Sequence, residues 1–277
     1  MRTFTKVIGA CCRAGQHIKG TEKAPHEVYK MLRRPDTMDF IHSFDLSGKG
    51  YRDLYALHNS YLHQKNKVIT IGGDHSISLS TVASSGEKYK DDLVVVWVDA
   101  HPDINTRESS YTKNIHGMPV ASFLGIDNLF NLPTIKPSQL IYIGIRDIDE
   151  YEQTLLDTYN IEHYNMKYIQ KYGIKDIINN ISKIDVPIHL SLDVDAVDPT
   201  EFISTGTPVP FGLRKNDVWD IVTKLKKNLV STDIVELNTK LSTNYTIKKK
   251  RYYFCNKFSS LFNVIIYKST SIASTSI

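Results

Sequence analysis

The chain has 277 residues, 34 lysines and arginines against 30 aspartates and glutamates, and 41% hydrophobic content. At roughly 100–200 residues per domain it holds one large domain or two small ones, and a near-average composition excludes a disordered, collagen-like or coiled-coil protein. No uninterrupted run of about 18 apolar residues occurs, which excludes a membrane-spanning helix. The formal charge of +4 originates at the end of the chain: residues 238–277 carry seven basic and no acidic residues, leaving −3 for residues 1–237. A slightly acidic body argues against a nucleic-acid footprint spread over the fold. The basic end reads as a solvated charge run.

Along the chain, Arg2, Lys6, Arg13 and Lys19 precede the first acid, Glu22, a pattern shared with transit peptides. The apolar run there is too short for a secretory signal, and KVIGA (6–10) reads as a first strand. Cys11 and Cys12 follow it; with Cys255 in the tail they make no disulfide framework and fit a reducing compartment, the cytoplasm. Further runs rich in β-branched residues are KVITI (67–71), LVVVWV (93–98), LIYIGI (140–145), IHLSL (188–192) and DIVEL (233–237). Being apolar on both faces, they suit buried parallel strands. Helix-like stretches stand between them at 51–65, 77–90, 151–158, 174–183 and 216–229, the last opening on an Asn216-Asp217 cap. Alternating strands and helices predict an α/β protein: one three-layer α/β/α domain with a mostly parallel sheet, spanning residues 1–246. Residues 247–277 lose helical periodicity and become basic and Ser/Thr-rich, so a poorly ordered tail is expected there.

In a parallel α/β sheet, ligands gather at the carboxyl ends of the strands. After KVITI comes GGDHS, presenting Asp74 and His75; after LVVVWV comes DAHPD, presenting Asp99, His101 and Asp103; after IHLSL comes DVDAVDP, presenting Asp193 and Asp195. Residues two apart in extended chain point the same way, so Asp99, His101 and Asp103 are expected to converge, as are Asp193 and Asp195. A lone Asp after a strand is most often a cap or turn residue. Metal-capable residues at three strand ends have no such simple account. Clustered ionised aspartates without cations repel and resist desolvation. Carboxylate plus imidazole without thiolate suits two Mn²⁺ or related first-row ions better than a structural zinc.

The segments GGDHS, DAHPDIN, NIHGMPVASFLG, SLDVDAVDP and TGTPVP, in this order, resemble the arginases of the ureohydrolase family from about Lys6 to Asn238. The resemblance implies a hydrolase acting on linear amidine C–N bonds, with one Mn²⁺ on His75, Asp99, Asp103 and Asp193 and a second on Asp99, His101, Asp193 and Asp195. A metal-bridging hydroxide would then attack the guanidinium of L-arginine to give L-ornithine and urea. By the same resemblance His116 shuttles a proton, titrating near the ordinary imidazole value. Glu236 grips the guanidinium and Thr207 lies near that end. Asn105, Thr112 and Asn114 face the α-carboxylate, Asp149 faces the α-ammonium, and Glu152 assists through water. Lys113 stands where arginases usually have Gly and adds a cation beside the carboxylate site. Agmatinase, guanidinobutyrase and a non-catalytic arginine- or partner-binding variant stay open as alternatives. The family implies a trimer or hexamer in arginine metabolism and the urea cycle, with no membrane or nucleic-acid partner. The larger departure is the tail, where family members usually continue Asn-Pro and end in a long helix; here Thr239 follows Asn238.

Overall fold

The computed structural model describes residues 4–31 and 38–241, of Met31 the backbone alone. In chain order the first half contains β1 (Thr5–Ala10), α1 (Ala24–Met31), β2 (Met38–Ile41), α2 (Lys49–His63), β3 (Lys67–Ile71), α3 (Ser78–Tyr89) and β4 (Val94–Val98). The second contains α4 (Pro119–Phe123), β5 (Leu140–Ile143), α5 (Glu150–Thr158), β6 (Glu162–Tyr164), α6 (Met166–Tyr172), α7 (Ile174–Ile181), β7 (Ile188–Asp193), α8 (Lys215–Leu225) and β8 (Leu229–Val235). The strands form one sheet in the order β2-β1-β3-β8-β7-β4-β5-β6, with every pairing parallel.

Successive strand residues point to opposite faces, so two-sided apolar runs feed two cores. Val7, Ile69, Val96, Val98 and Leu190 pack with α1, α6, α7 and α8 on one face. Ile8 and Val68 meet α2 and α3 on the other, where Val95, Trp97 and Tyr142 also meet α3, α4 and α5. This is the three-layer α/β/α arrangement that the strand pattern predicted. Among the described residues no helix is long and apolar enough to cross a membrane.

Some boundaries differ from expectation. The strands β2 and β6 were not predicted; both are short edge strands, partly exposed and without an apolar run. The helix predicted to reach 229 stops at Leu225, because Leu229 already pairs with Ile188 in the sheet. The strand predicted over 140–145 ends at Ile143, where Gly144 takes a φ of 96°. Glu236, placed in a strand by the DIVEL run, lies beyond β8 at a φ of 61°. The predicted tail at 247–277 and the last predicted domain residues, 242–246, lie outside the described residues.

Candidate metal centre and substrate cavity

Four adjacent central strands, β3, β8, β7 and β4, deliver the charged residues to one end of the sheet. The chain leaves β3 through Gly73, where a Cβ would stand 1.7 Å from the carbonyl oxygen of Cys12. That contact leaves room only for glycine and sets up a 3-10 turn, His75–Ile77, capped by Asp74 accepting from the Ser76 amide. Asp74, buried, also accepts from the Gly15 amide at 2.8 Å and faces the loop after β1. His75 turns to the strand ends, where its Nδ1 lies 3.0 Å from Asp99 Oδ2, 3.0 Å from Asp103 Oδ2 and 3.2 Å from Asp193 Oδ2. Beside it, His101 Nδ1 lies 3.2 Å from Asp195 Oδ2 and 3.5 Å from Asp99 Oδ1.

Strand alternation, expected to bring Asp103 into the cluster, is not what does so. The strand ends at Val98, and Asp103 reaches His75 from a left-handed conformation with a φ of 51°. Such backbone strain, roughly 1–2 kcal/mol, persists only where surrounding contacts fix it. Asp99 is fixed by the Trp97 indole, which donates to Oδ2 at 2.9 Å while its ring stacks on His75 at 4.1 Å. Asp195 accepts from Thr207 Oγ1 at 3.0 Å, and its amide donates to Asp193 Oδ1 at 2.8 Å.

The electrostatics of this cluster call for positive charge. Burial and neighbouring Asp99 push Asp103 up to about 6; burial, Asp195 and Asp99 raise Asp193 well above the carboxylate range. Burial opposes a charge on His75, yet Asp103, Asp193 and Asp99 together outweigh it and raise its pKa. A proton there is a poor solution, because one N–H aims at a single acceptor and Nδ1 has no hydrogen-bond partner. A cation would serve all four donor atoms at once. Two donor sets meet this geometry, His75/Asp99/Asp103 and Asp99/His101/Asp195, each with ligand atoms within 4.8 Å of one another, and Asp99 belongs to both.

Behind the cluster a buried hydrogen-bond chain has a forced direction. Asp233 Oδ2 accepts from Ser78 Oγ at 2.9 Å and faces His189 Nε2 at 3.0 Å. With the Ser78 proton committed to Asp233, Ser78 accepts from Ser191 at 3.2 Å, and Ser191 accepts from His75 Nε2 at 2.9 Å. Burial alone would raise the Asp233 carboxyl, but His189 and the Thr81 hydroxyl outweigh it and hold the group below its ordinary value. Ionised Asp233 thus sets the tautomer of a neutral His75, with the proton on Nε2 and Nδ1 free to bind a cation. Imidazole ligands are oriented by partners of this kind.

A cavity of about 230 Å³ opens over the cluster, lined by His101, Asp103, Asp193, Asp195, His116 and Glu236 and also by Asn105, Thr112, Asn114, Asp149, Glu152 and Thr207. Asp149 caps α5, accepting from the Glu152 amide at 2.8 Å, while its other oxygen accepts from Asn105 Nδ2 at 2.7 Å. Glu152, buried, is pushed up to about 8, chiefly by that burial. Lys113 does not enter the cavity: its Nζ donates to the carbonyls of Arg107 and Glu108 at 2.7 and 3.1 Å, and its backbone has a φ of 58°. Glu236 accepts from Gln16 Nε2 at 2.6 Å and from the His75 amide at 3.0 Å, and pairs with His116 Nδ1 at 2.9 Å. Burial alone would depress His116, but the Glu236 contact reverses this and raises it to about 9. The expectation that His116 titrates near the ordinary imidazole value is corrected accordingly: it faces a buried carboxylate.

Several residues of the site escaped the sequence reading. Gln16 lies on the loop after β1, where the strand-end search that found His75 would also have looked. Asp147, 3.6 Å from His101 Nε2 and part of the cavity wall, stands two residues before Asp149. Ser110, also in the wall, is one of many loop serines and carries no distinguishing pattern.

The sequence profile of the Arginase family matches residues 5–250. An arginase of Entamoeba histolytica is 41% identical over 194 residues, covering 66% of each chain. The chain spans 56–66% of the length of the first curated relatives it matches. Among solved structures, arginase from Bacillus subtilis superposes with a TM-score of 0.83 at 29% identity, over 97% of this chain and 100% of that one. Entamoeba histolytica arginase in complex with L-ornithine superposes with a TM-score of 0.82 at 31% identity, over 94% and 99%. The chain belongs to the Arginase family.

Proposed function

We propose that the chain hydrolyses the guanidinium group of L-arginine to L-ornithine and urea. The observation that carries this reading is the meeting of Asp99, Asp103 and Asp193 on His75 Nδ1, beside a cavity lined by Asp103, Asp193 and Glu236. His75, Asp99, Asp103 and Asp193 would hold one Mn²⁺ and Asp99, His101, Asp193 and Asp195 a second, in agreement with the carboxylate–imidazole donor set. When bound, the pair supplies Lewis-acid activation of a water molecule.

The protein groups do the rest. Buried Glu236, its backbone fixed by an amide hydrogen bond to Gly73 at 2.8 Å, offers a guanidinium two oxygens in a charge-assisted pair and so positions the carbon. His116 holds the same carboxylate in the free protein, so an arriving guanidinium takes over its partner. Relieved of that pairing, the imidazole gives up its hold on a proton more readily and can pass it to the departing amine nitrogen. Asp149 receives the α-ammonium, supported by Glu152. Asn105, Thr112 and Asn114 receive the α-carboxylate. Thr207 keeps Asp195 in place. A cytoplasmic location, a trimeric or hexameric assembly and a domain spanning 1–246 belong to the same proposal, the first supported by Cys11 and Cys12, which are free thiols among the described residues.

The test is urea release from L-arginine, agmatine and 4-guanidinobutyrate by Mn²⁺-loaded protein. Preference for arginine is expected, because agmatine leaves the carboxylate-facing asparagines without a partner. Preference for a substrate lacking the α-carboxylate would overturn the substrate assignment, and Mn²⁺ binding without turnover would overturn the catalytic one.

A further inference from the structure

A second cluster of ligating side chains lies at the edge of the sheet. Cys11 follows β1, His42 follows β2 and His26 sits on α1; the Cys11 amide donates to the Ile41 carbonyl at 2.9 Å and so holds the two strand ends side by side. One ligand atom from each of Cys11, His26 and His42 lies within 4.8 Å of the others. The His26 ring stacks on both Phe40 and His42, at 4.3 and 5.1 Å and within 15° of parallel to both, while Phe40 and His42 stand 5.9 Å apart, a contact that fixes its plane. Both histidines are exposed and Cys11 is half-buried, so an ion can reach all three from solvent.

We propose that Cys11, His26 and His42 form a separate metal site that takes a borderline-soft divalent cation of the Zn²⁺ class. Two imidazoles and a thiolate are the donors such ions select, and a fourth position is open to water. The set contains no carboxylate, so oxygen-seeking Mn²⁺ has little reason to choose it over the aspartate-rich centre. Burial, with Glu22 adding to it, pushes the Cys11 thiol up to about 11, which makes it inert as a nucleophile until a cation displaces its proton. Burial, His42 and Lys30 lower the His26 pKa, leaving that imidazole neutral and able to bind. An ion here would clip α1 to β1 and the edge strand β2.

The experiment uses the full chain, first saturated with Mn²⁺ and then titrated with Co²⁺ as a coloured stand-in for Zn²⁺. A thiolate-to-cobalt charge-transfer band saturating at one equivalent is expected, bleached by Zn²⁺ and unchanged in Cys255→Ser. Cys11→Ser should abolish the band, and His42→Ala should weaken Co²⁺ binding about 10-fold or more, by analogy with the loss of a ligand-supporting group. If Cys11→Ser fails to fold, His26→Ala and His42→Ala carry the test, since both side chains are exposed. Absence of the band in the wild-type chain, or its survival in Cys11→Ser or in both histidine variants, overturns the proposal. The readout does not involve urea release and stands whether or not the chain hydrolyses arginine.

Discussion

The contact between His116 and Glu236 makes a quantitative prediction about the metal-free chain. The pair is nearly enclosed, with side-chain exposures of 18% and 2% and a separation of 2.9 Å. His116 rises from 6.5 to about 9 on folding, and at about 1.4 kcal/mol per pKa unit this corresponds to about 3 kcal/mol. Because the folded value lies above the unfolded one, the stabilisation is complete below pH 6.5 and is lost as the pH rises through about 9. Glu236→Gln removes the negative charge that causes the shift. Denaturant unfolding of both proteins, metal-free, at several pH values from neutral to about 10 reads the difference directly. Other acids of the cluster titrate in both chains, so they cancel in the comparison to first order. Wild type should lose about 3 kcal/mol of its advantage across the alkaline range. A difference between the two proteins that does not change with pH would refute the reasoning.

Asp233→Asn removes the ionised end of the chain through Ser78 and Ser191, so Mn²⁺ affinity measured by calorimetry should fall about 10–100-fold; unchanged affinity would mean that Asp233 does not govern His75. His101→Asn should weaken one of two bound Mn²⁺ and strongly reduce urea release, whereas full metal content with normal turnover contradicts its ligand role. Asp149→Ala removes a charged contact worth about 1.5–3 kcal/mol, so KM for arginine should rise about 10–100-fold with a smaller change in kcat, and a kcat effect alone would place Asp149 elsewhere in the mechanism. Gly73→Ala puts a methyl group 1.7 Å from a backbone oxygen and should prevent the native turn from forming; a normal melting temperature would contradict that packing.

The two-sided apolar runs made the α/β class and the central strands legible, because burial on both faces leaves a composition that no exposed segment shares. The strand-end rule then located His75, Asp99, His101, Asp103, Asp193 and Asp195 at the junctions where they stand. The edge strands β2 and β6 carried no such signal, since an edge strand is half exposed and its residues need not be apolar. Sequence order also hides which strands are neighbours. His75 and Glu236 are separated by 161 positions, yet the amide of one donates to the carboxylate of the other, because the sheet places β8 beside β3. The left-handed backbones of Asp103, Lys113 and Glu236 are likewise products of the surrounding packing, which holds conformations that local preference disfavours. Residue types at strand ends thus pointed to a metal-capable cluster from the sequence alone. The pairing of His116 with Glu236, the hydrogen-bond direction set by Asp233 and the turning of Lys113 away from the cavity were decided by tertiary structure, because each depends on atoms brought together across the sheet.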